Sequence, residues 1–119
     1  ILGNLKAKRD WGYAKDYVKA MWIMLQQPEP DDYVVASGEC HTVQEFLEET
    51  FSLVGLDWKK HIEIDSKYFR PSEVDVTKGD ATKARQVLGW HNETSFKELV
   101  RLMLESDLER EGLQLADYV

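Results

Sequence analysis

The chain has 119 residues and a net charge of −7, enough for one domain or part of one, and its acidity excludes a general nucleic-acid surface and adhesion to anionic lipid. Hydrophobic residues make up 43% and aromatics 11%, a composition that builds a core and excludes a wholly disordered chain. No apolar run approaches the roughly 20 residues of a membrane span, and the single cysteine, Cys40, excludes an intrachain disulfide and fits a reducing cytoplasm.

The sequence opens on "ILGNL", the pattern of a strand end and a turn already under way, so it reads as a fragment of a longer protein. A charged turn, Lys8-Arg9-Asp10, then runs into a patterned helix. Ala14, Tyr17, Val18, Met21, Trp22 and Leu25 recur at helical spacing and predict one buried stripe, with Lys15, Lys19 and Gln26 on the other side. Pro28 and Pro30 end it. "YVVAS" (33–37) is apolar, β-branched and short, which predicts a buried strand. Thr42 and Glu45 have the form of a capping box opening a second helix over 43–54. Its stripe is Val43, Phe46, Leu47, Thr50, Phe51 and Val54, and Gly55 suits a left-handed stop.

"HIEID" (61–65) alternates with period two and predicts a second strand. The segment 66–80 is long and irregular, yet carries Tyr68, Phe69, Val74 and Val76, so it reads as an ordered, functional loop. Asp80 can cap a brief helix closed by Gly89, with Ala84, Val87 and Leu88 facing inward. Ser95 and Glu98 form a second capping box before a last helix reaching about Glu111. That helix places Phe96, Leu99, Val100, Met103, Leu104 and Leu108 on one face, and the remaining tail is weakly specified. The sum is a small α+β unit of four helices and two short strands. Two short strands make a poor sheet alone, so they are expected to extend a sheet lying before Ile1.

Two features go beyond core building. Arg9 stands in the turn before the first helix, and Arg70 and Glu73 share the loop "YFRPSEVD". The planar fork of arginine matches phosphate oxygens and stays charged at physiological pH. Two arginines converging on a diphosphate would anchor a nucleotide. The helix entrance would add free N–H groups, and Gly12 would permit close approach. Pro71 stiffens the loop after Arg70, and Glu73 is placed to accept hydrogen bonds from ribose hydroxyls. The plain alternative pairs Arg9 with Asp10 or Asp16 and Arg70 with Glu73, in surface ion pairs worth about 0–1 kcal/mol. Spacing alone favours that alternative. Trp11 reads as a staple packing onto the first helix.

Nothing in these residues supplies catalysis. There is no G-x-G-x-x-G turn. Neither Tyr13 nor Tyr17 has a lysine four residues on, and nothing orients the neighbours Cys40 and His41 as nucleophile and base. His41, His61 and His91 lie far apart and lack metal-ligand spacing.

Taken together, "RDWGYAKDYVKAMWIMLQ" (9–26), "YFRPSEVDVTKGDATKARQVLGW" (68–90) and "SFKELVRLMLESDLE" (95–109) resemble the C-terminal part of the GDP-mannose 4,6-dehydratase family, within the extended short-chain dehydrogenases/reductases. The resemblance runs from Gly3 to about Glu111. Arg-Asp-Trp-Gly and Arg-Pro-x-Glu-Val-Asp are specific in combination, whereas related epimerases and reductases share either motif alone. The resemblance implies an α/β enzyme of which residues 1–111 are the α+β nucleotide-sugar-binding region and 112–119 a tail. Its N-terminal Rossmann domain, which binds NADP and carries the catalytic Thr or Ser, Glu, Tyr and Lys, is outside this sequence. The implied activity is an NADP-dependent lyase that turns GDP-mannose into GDP-4-keto-6-deoxymannose on the way to GDP-fucose. The implied setting is the cytoplasm, as a homo-oligomeric dimer or tetramer. By the same resemblance Arg9 and Arg70 contact the diphosphate from opposite walls, Glu73 holds the ribose, and Trp11 lies near the nucleotide. The fragment alone is then inactive. Tyr13 stands where many members carry His, and the link from Val54 to Tyr68 is short beside some relatives. The alternative is the substrate domain of a related GDP-sugar reductase or nucleotide-sugar epimerase.

Overall fold

The computed structural model describes residues 1–72 and 74–118. Three helices form where the pattern places them: α1 (Ala14–Leu25), α2 (Val43–Leu53) and α3 (Phe96–Arg110). A fourth, short and wide, follows Asp80 and includes a π turn at Ala84–Leu88, closed by Gly89 at φ +67°. The Asp80 carboxylate accepts the Thr82 N–H (3.0 Å) and the Thr82 hydroxyl, as a cap should.

The caps show why these boundaries hold. At α2, Thr42 Oγ1 accepts from Glu45 N (3.0 Å) and the Glu45 carboxylate accepts from Thr42 N (3.3 Å), a complete capping box. The next two free donors, Val43 N and Gln44 N, reach Ala7 O (3.1 Å) and Leu5 O (3.0 Å). Gly55 follows at φ +71°. At α3, Ser95 Oγ accepts from Glu98 N (3.2 Å), but the Glu98 carboxylate takes the Ser95 hydroxyl, so only half of the expected box forms.

The strands fall elsewhere than expected. Three two-residue strands, β1 (Lys8–Arg9), β2 (His41–Thr42) and β3 (Val76–Thr77), make a sheet of order β2-β1-β3. β1 is antiparallel to β2, with Lys8 opposite Thr42 and Arg9 opposite His41. It is parallel to β3, with Lys8 opposite Val76 and Arg9 opposite Thr77. The run 33–37 is not in a strand: an apolar β-branched run becomes one only where a second backbone pairs with it, and no other described residues do so. The run 61–65 yields one bridge, Ile64 to Leu2, closed by Leu2 N to Glu63 O (2.7 Å) and Asp65 N to Leu2 O (2.8 Å).

Packing inside the chain is thin. The main cluster is Ala20, Ala81, Ala84 and Trp90, flanked by Tyr17, Ile23, Tyr33, Val35 and Leu88. Trp90 Nε1 donates to Asp16 O (3.0 Å), and the buried Asp16 carboxylate accepts from Thr94 N (3.1 Å), so this core carries no unsatisfied acid. The apolar stripe of α1 is largely not in it. Trp22 is 63% exposed and Leu25 82%, with Val18 and Met21 open beside them. The neighbouring short helix meets the small-residue side around Ala20, which leaves the wide face uncovered. The radius of gyration is 17.2 Å, against about 13.5 Å for a compact domain of this length.

A second, aromatic cluster joins the helices. Trp11 meets Phe46 edge-on (centroids 5.2 Å apart) and stacks near Phe96 (6.1 Å), while the His41 ring lies on Phe96 at 3.8 Å. Trp11 therefore ties α2 to α3. The tail turns into a short 3-10 helix, Leu115–Tyr118, whose Leu115 is buried.

Candidate functional site

The site is built around the middle strand. β1 holds Arg9 between His41 and Thr77. The half-buried Arg9 donates from Nη1 to Val74 O (2.8 Å) and to Lys8 O (2.7 Å). Lys8 N bonds Asp75 O (2.7 Å), so β1 grips the 70–77 loop through backbone and side chain together.

The expected acid partners of Arg9 are engaged with other donors. Asp16 is satisfied by Thr94. Asp10 accepts from Ser37 N (3.0 Å), the Ser37 hydroxyl, Gly38 N (2.9 Å) and Gly79 N (3.1 Å). Burial pushes its carboxyl pKa up, but the Ser37 hydroxyl and the N–H groups of Gly38, Gly79 and Ser37 outweigh burial and hold it below the ordinary carboxylate value.

Arg70 is exposed, on a span fixed at both ends. Upstream, Asp65 Oδ1 caps the 3-10 turn Ser66–Tyr68 through Lys67 N (3.0 Å). Gly3 lies directly beneath that turn, where a Cβ would stand 2.9 Å from Tyr68 O. Downstream, Arg9 holds Val74. The structure thus brings the Arg9 guanidinium to the loop that carries Arg70, and leaves Arg70 itself with no hydrogen bond or ion pair among the described residues. Glu73 lies outside the described residues.

The close approach expected at Gly12 is used internally. A Cβ there would lie 1.8 Å from Tyr17 Oη, so the tyrosine hydroxyl occupies that space. Burial, followed by the nearby Asp10 and Asp16 carboxylates, raises the Tyr17 pKa. The entrance of α1 has no side-chain cap. Cys40 Sγ contacts Thr77 O (3.4 Å), whereas His41 Nδ1 pairs with Glu45 Oε2 (2.8 Å), so the two neighbours face different partners. No group of three or more His, Cys, Asp or Glu suited to a metal occurs among the described residues.

Sequence reasoning did not find Asp10, Lys78 or Arg85. Lys78 and Arg85 line an open depression of about 390 Å³ together with Gly38, Gly79 and Asp80, beside the Asp10 contacts. The glycine at 79 was the available signal: a Cβ there would stand 2.3 Å from Ala36 Cβ.

This α+β arrangement is that of the extended short-chain dehydrogenases/reductases. It superposes on RMD from Pseudomonas aeruginosa complexed with NADPH at a TM-score of 0.77, with 24% identity, over 92% of this chain and 35% of that one. It superposes on the UDP-glucose 4-epimerase of Thermotoga maritima with UDP-glucose at 0.78, with 25% identity, over 93% and 35%. Within that class, the family model for GDP-mannose 4,6 dehydratase matches residues 1–103. GDP-mannose 4,6 dehydratase 1 of Arabidopsis thaliana is 61% identical over 92% of the chain. The chain belongs to the GDP-mannose 4,6-dehydratase family, and it spans 30% of the length of that relative.

Proposed function

We propose that the chain is the GDP-holding portion of an NADP-dependent lyase that converts GDP-mannose to GDP-4-keto-6-deoxymannose. The observation that carries this reading is the position of Arg9, on the central strand and bonded to the loop of Arg70. Arg9 and Arg70 are the diphosphate ligands, and Glu73 holds the ribose. Each charge-assisted bond to a phosphate oxygen contributes roughly 1.5–3 kcal/mol, so two of them supply about a third to three quarters of a micromolar affinity. Identity of 61% to a GDP-mannose 4,6 dehydratase, against 25% to a UDP-glucose 4-epimerase, favours the dehydratase over the epimerase reading.

The residues of this chain do not fit NADP. They include no glycine-rich dinucleotide turn and no Tyr-x-x-x-Lys pair, so the cofactor is assigned to the rest of the longer protein. There it would supply the hydride exchange that opens and closes the loss of water from the hexose. The part of this chain is to hold and orient the nucleotide end. The reading also takes the full-length protein as a cytoplasmic homo-oligomer, and the 119 residues alone as inactive. Calorimetric titration of GDP into the full-length protein tests the central assignment. Arg9→Ala and Arg70→Ala should each weaken binding about tenfold or more, and unchanged affinity in both would remove the phosphate reading.

A further inference from the structure

We infer that Asp10 is a positioning residue of this site: its carboxylate, shared among donors from two separate loops, fixes how the loop carrying Arg70 lies against the strand carrying Arg9. The inference rests on the nucleotide-binding reading above and adds to it a residue that does not itself touch nucleotide.

Asp10 follows Arg9 directly at the end of β1. Both of its oxygens are used. Oδ1 accepts from Ser37 N and the Ser37 hydroxyl, and Oδ2 accepts from Gly38 N and Gly79 N. The donors lie 27, 28 and 69 residues away, so one side chain gathers two distant stretches of backbone. This matters because the β1–β3 ladder is only two residues long and ends at Arg9 opposite Thr77. A ladder that short is marginal by itself. The bond from Gly79 to Asp10 extends the grip two residues further, with a carboxylate oxygen in place of a strand carbonyl.

The loop 74–79 is thus held at both ends by consecutive residues. Arg9 binds the carbonyl of Val74 and Asp10 binds the N–H of Gly79. A shift at Gly79 is passed along this short span to Val74, and so to Arg70 four residues earlier. The fit leaves little slack, since Gly79 sits against Ala36 at a distance that admits no side chain. An acid is the side chain suited to this place, because every group facing it is a donor. An amide would turn its NH2 toward either Ser37 or the two glycine N–H groups.

The test uses the full-length protein with four variants: Asp10→Asn, Ser37→Ala, Arg9→Ala and Arg70→Ala. GDP affinity and NADP affinity are measured separately by calorimetry. Asp10→Asn should weaken GDP about tenfold, and Ser37→Ala, which removes one of four donors, about two- to threefold. NADP affinity should stay within about twofold in both, a readout that a general folding defect would move. GDP binding unchanged in Asp10→Asn while Arg9→Ala loses it would overturn the inference and leave the nucleotide reading standing. Parallel loss of GDP and NADP in Asp10→Asn would also overturn it. If Asp10→Asn does not fold, Ser37→Ala decides: unchanged GDP affinity overturns the inference, and the two- to threefold loss supports it. If Arg9→Ala and Arg70→Ala both bind GDP normally, the nucleotide reading fails and this inference fails with it.

Discussion

Gly79→Ala isolates the contact that brings the two loops together. The added methyl would lie 2.3 Å from Ala36 Cβ. Carbon atoms in ordinary contact stand about 3.5–4.0 Å apart, so the loops must part by more than about 1 Å. Both atoms are fixed to backbone, and no rotamer change relieves the clash. The Gly79 N–H bond to Asp10, at 3.1 Å, would then stretch beyond hydrogen-bond range. Overpacking costs about 1–3 kcal/mol, and loss of a bond to a charged group about 1.5–3 kcal/mol. Together they predict a destabilisation of roughly 3–5 kcal/mol, since the two costs overlap. Gly55→Ala is the comparison: its φ is +71° and no atom lies within 4 Å, so it should cost only the left-handed strain, about 1–2 kcal/mol. Urea unfolding of the full-length variants, followed by tryptophan fluorescence, measures both. A Gly79→Ala variant no less stable than Gly55→Ala would refute the reasoning.

Thr42→Ala removes the first half of a complete capping box and should cost about 0.5–2 kcal/mol by urea unfolding, more than Ser95→Ala, where the return bond to the backbone is missing. The 119-residue chain expressed alone should aggregate or unfold broadly and show no dehydratase activity; a sharp two-state melt of a monomer, or turnover, contradicts this. Because the folded pKa of Asp10 lies below its ordinary 3.8, its contribution to stability is complete above that value and is lost as pH falls through the folded pKa. Stability measured downward from pH 5 should therefore decline more steeply in the parent protein than in Asp10→Asn, and equal slopes would oppose that role.

What the sequence reveals here is mostly local. Thr42 with Glu45, Gly55, Asp80 and Gly89 mark helix ends through bonds made within a few residues, and the structure places them as caps and stops. The strands were less legible because pairing is a long-range choice. Nothing in "KR", "HT" or "VT" distinguishes three two-residue strands, whereas the strongly β-patterned 33–37 finds no ladder. Periodicity located α1 but could not say which side faces this chain, and Ala20 is packed while Leu25 is open. Arg9 stood out by its chemistry. Asp10 did not, because beside an arginine it reads as an ion-pair partner, and its real donors are backbone N–H groups of remote loops.

The central claim is that Arg9 and Arg70 share one diphosphate. A crystal structure of the full-length protein with GDP tests it most directly. Each guanidinium should lie within about 3 Å of a phosphate oxygen, with Arg9 reached from the strand and Arg70 from the loop. A diphosphate bound elsewhere, with Arg70 still directed into solvent, would contradict it.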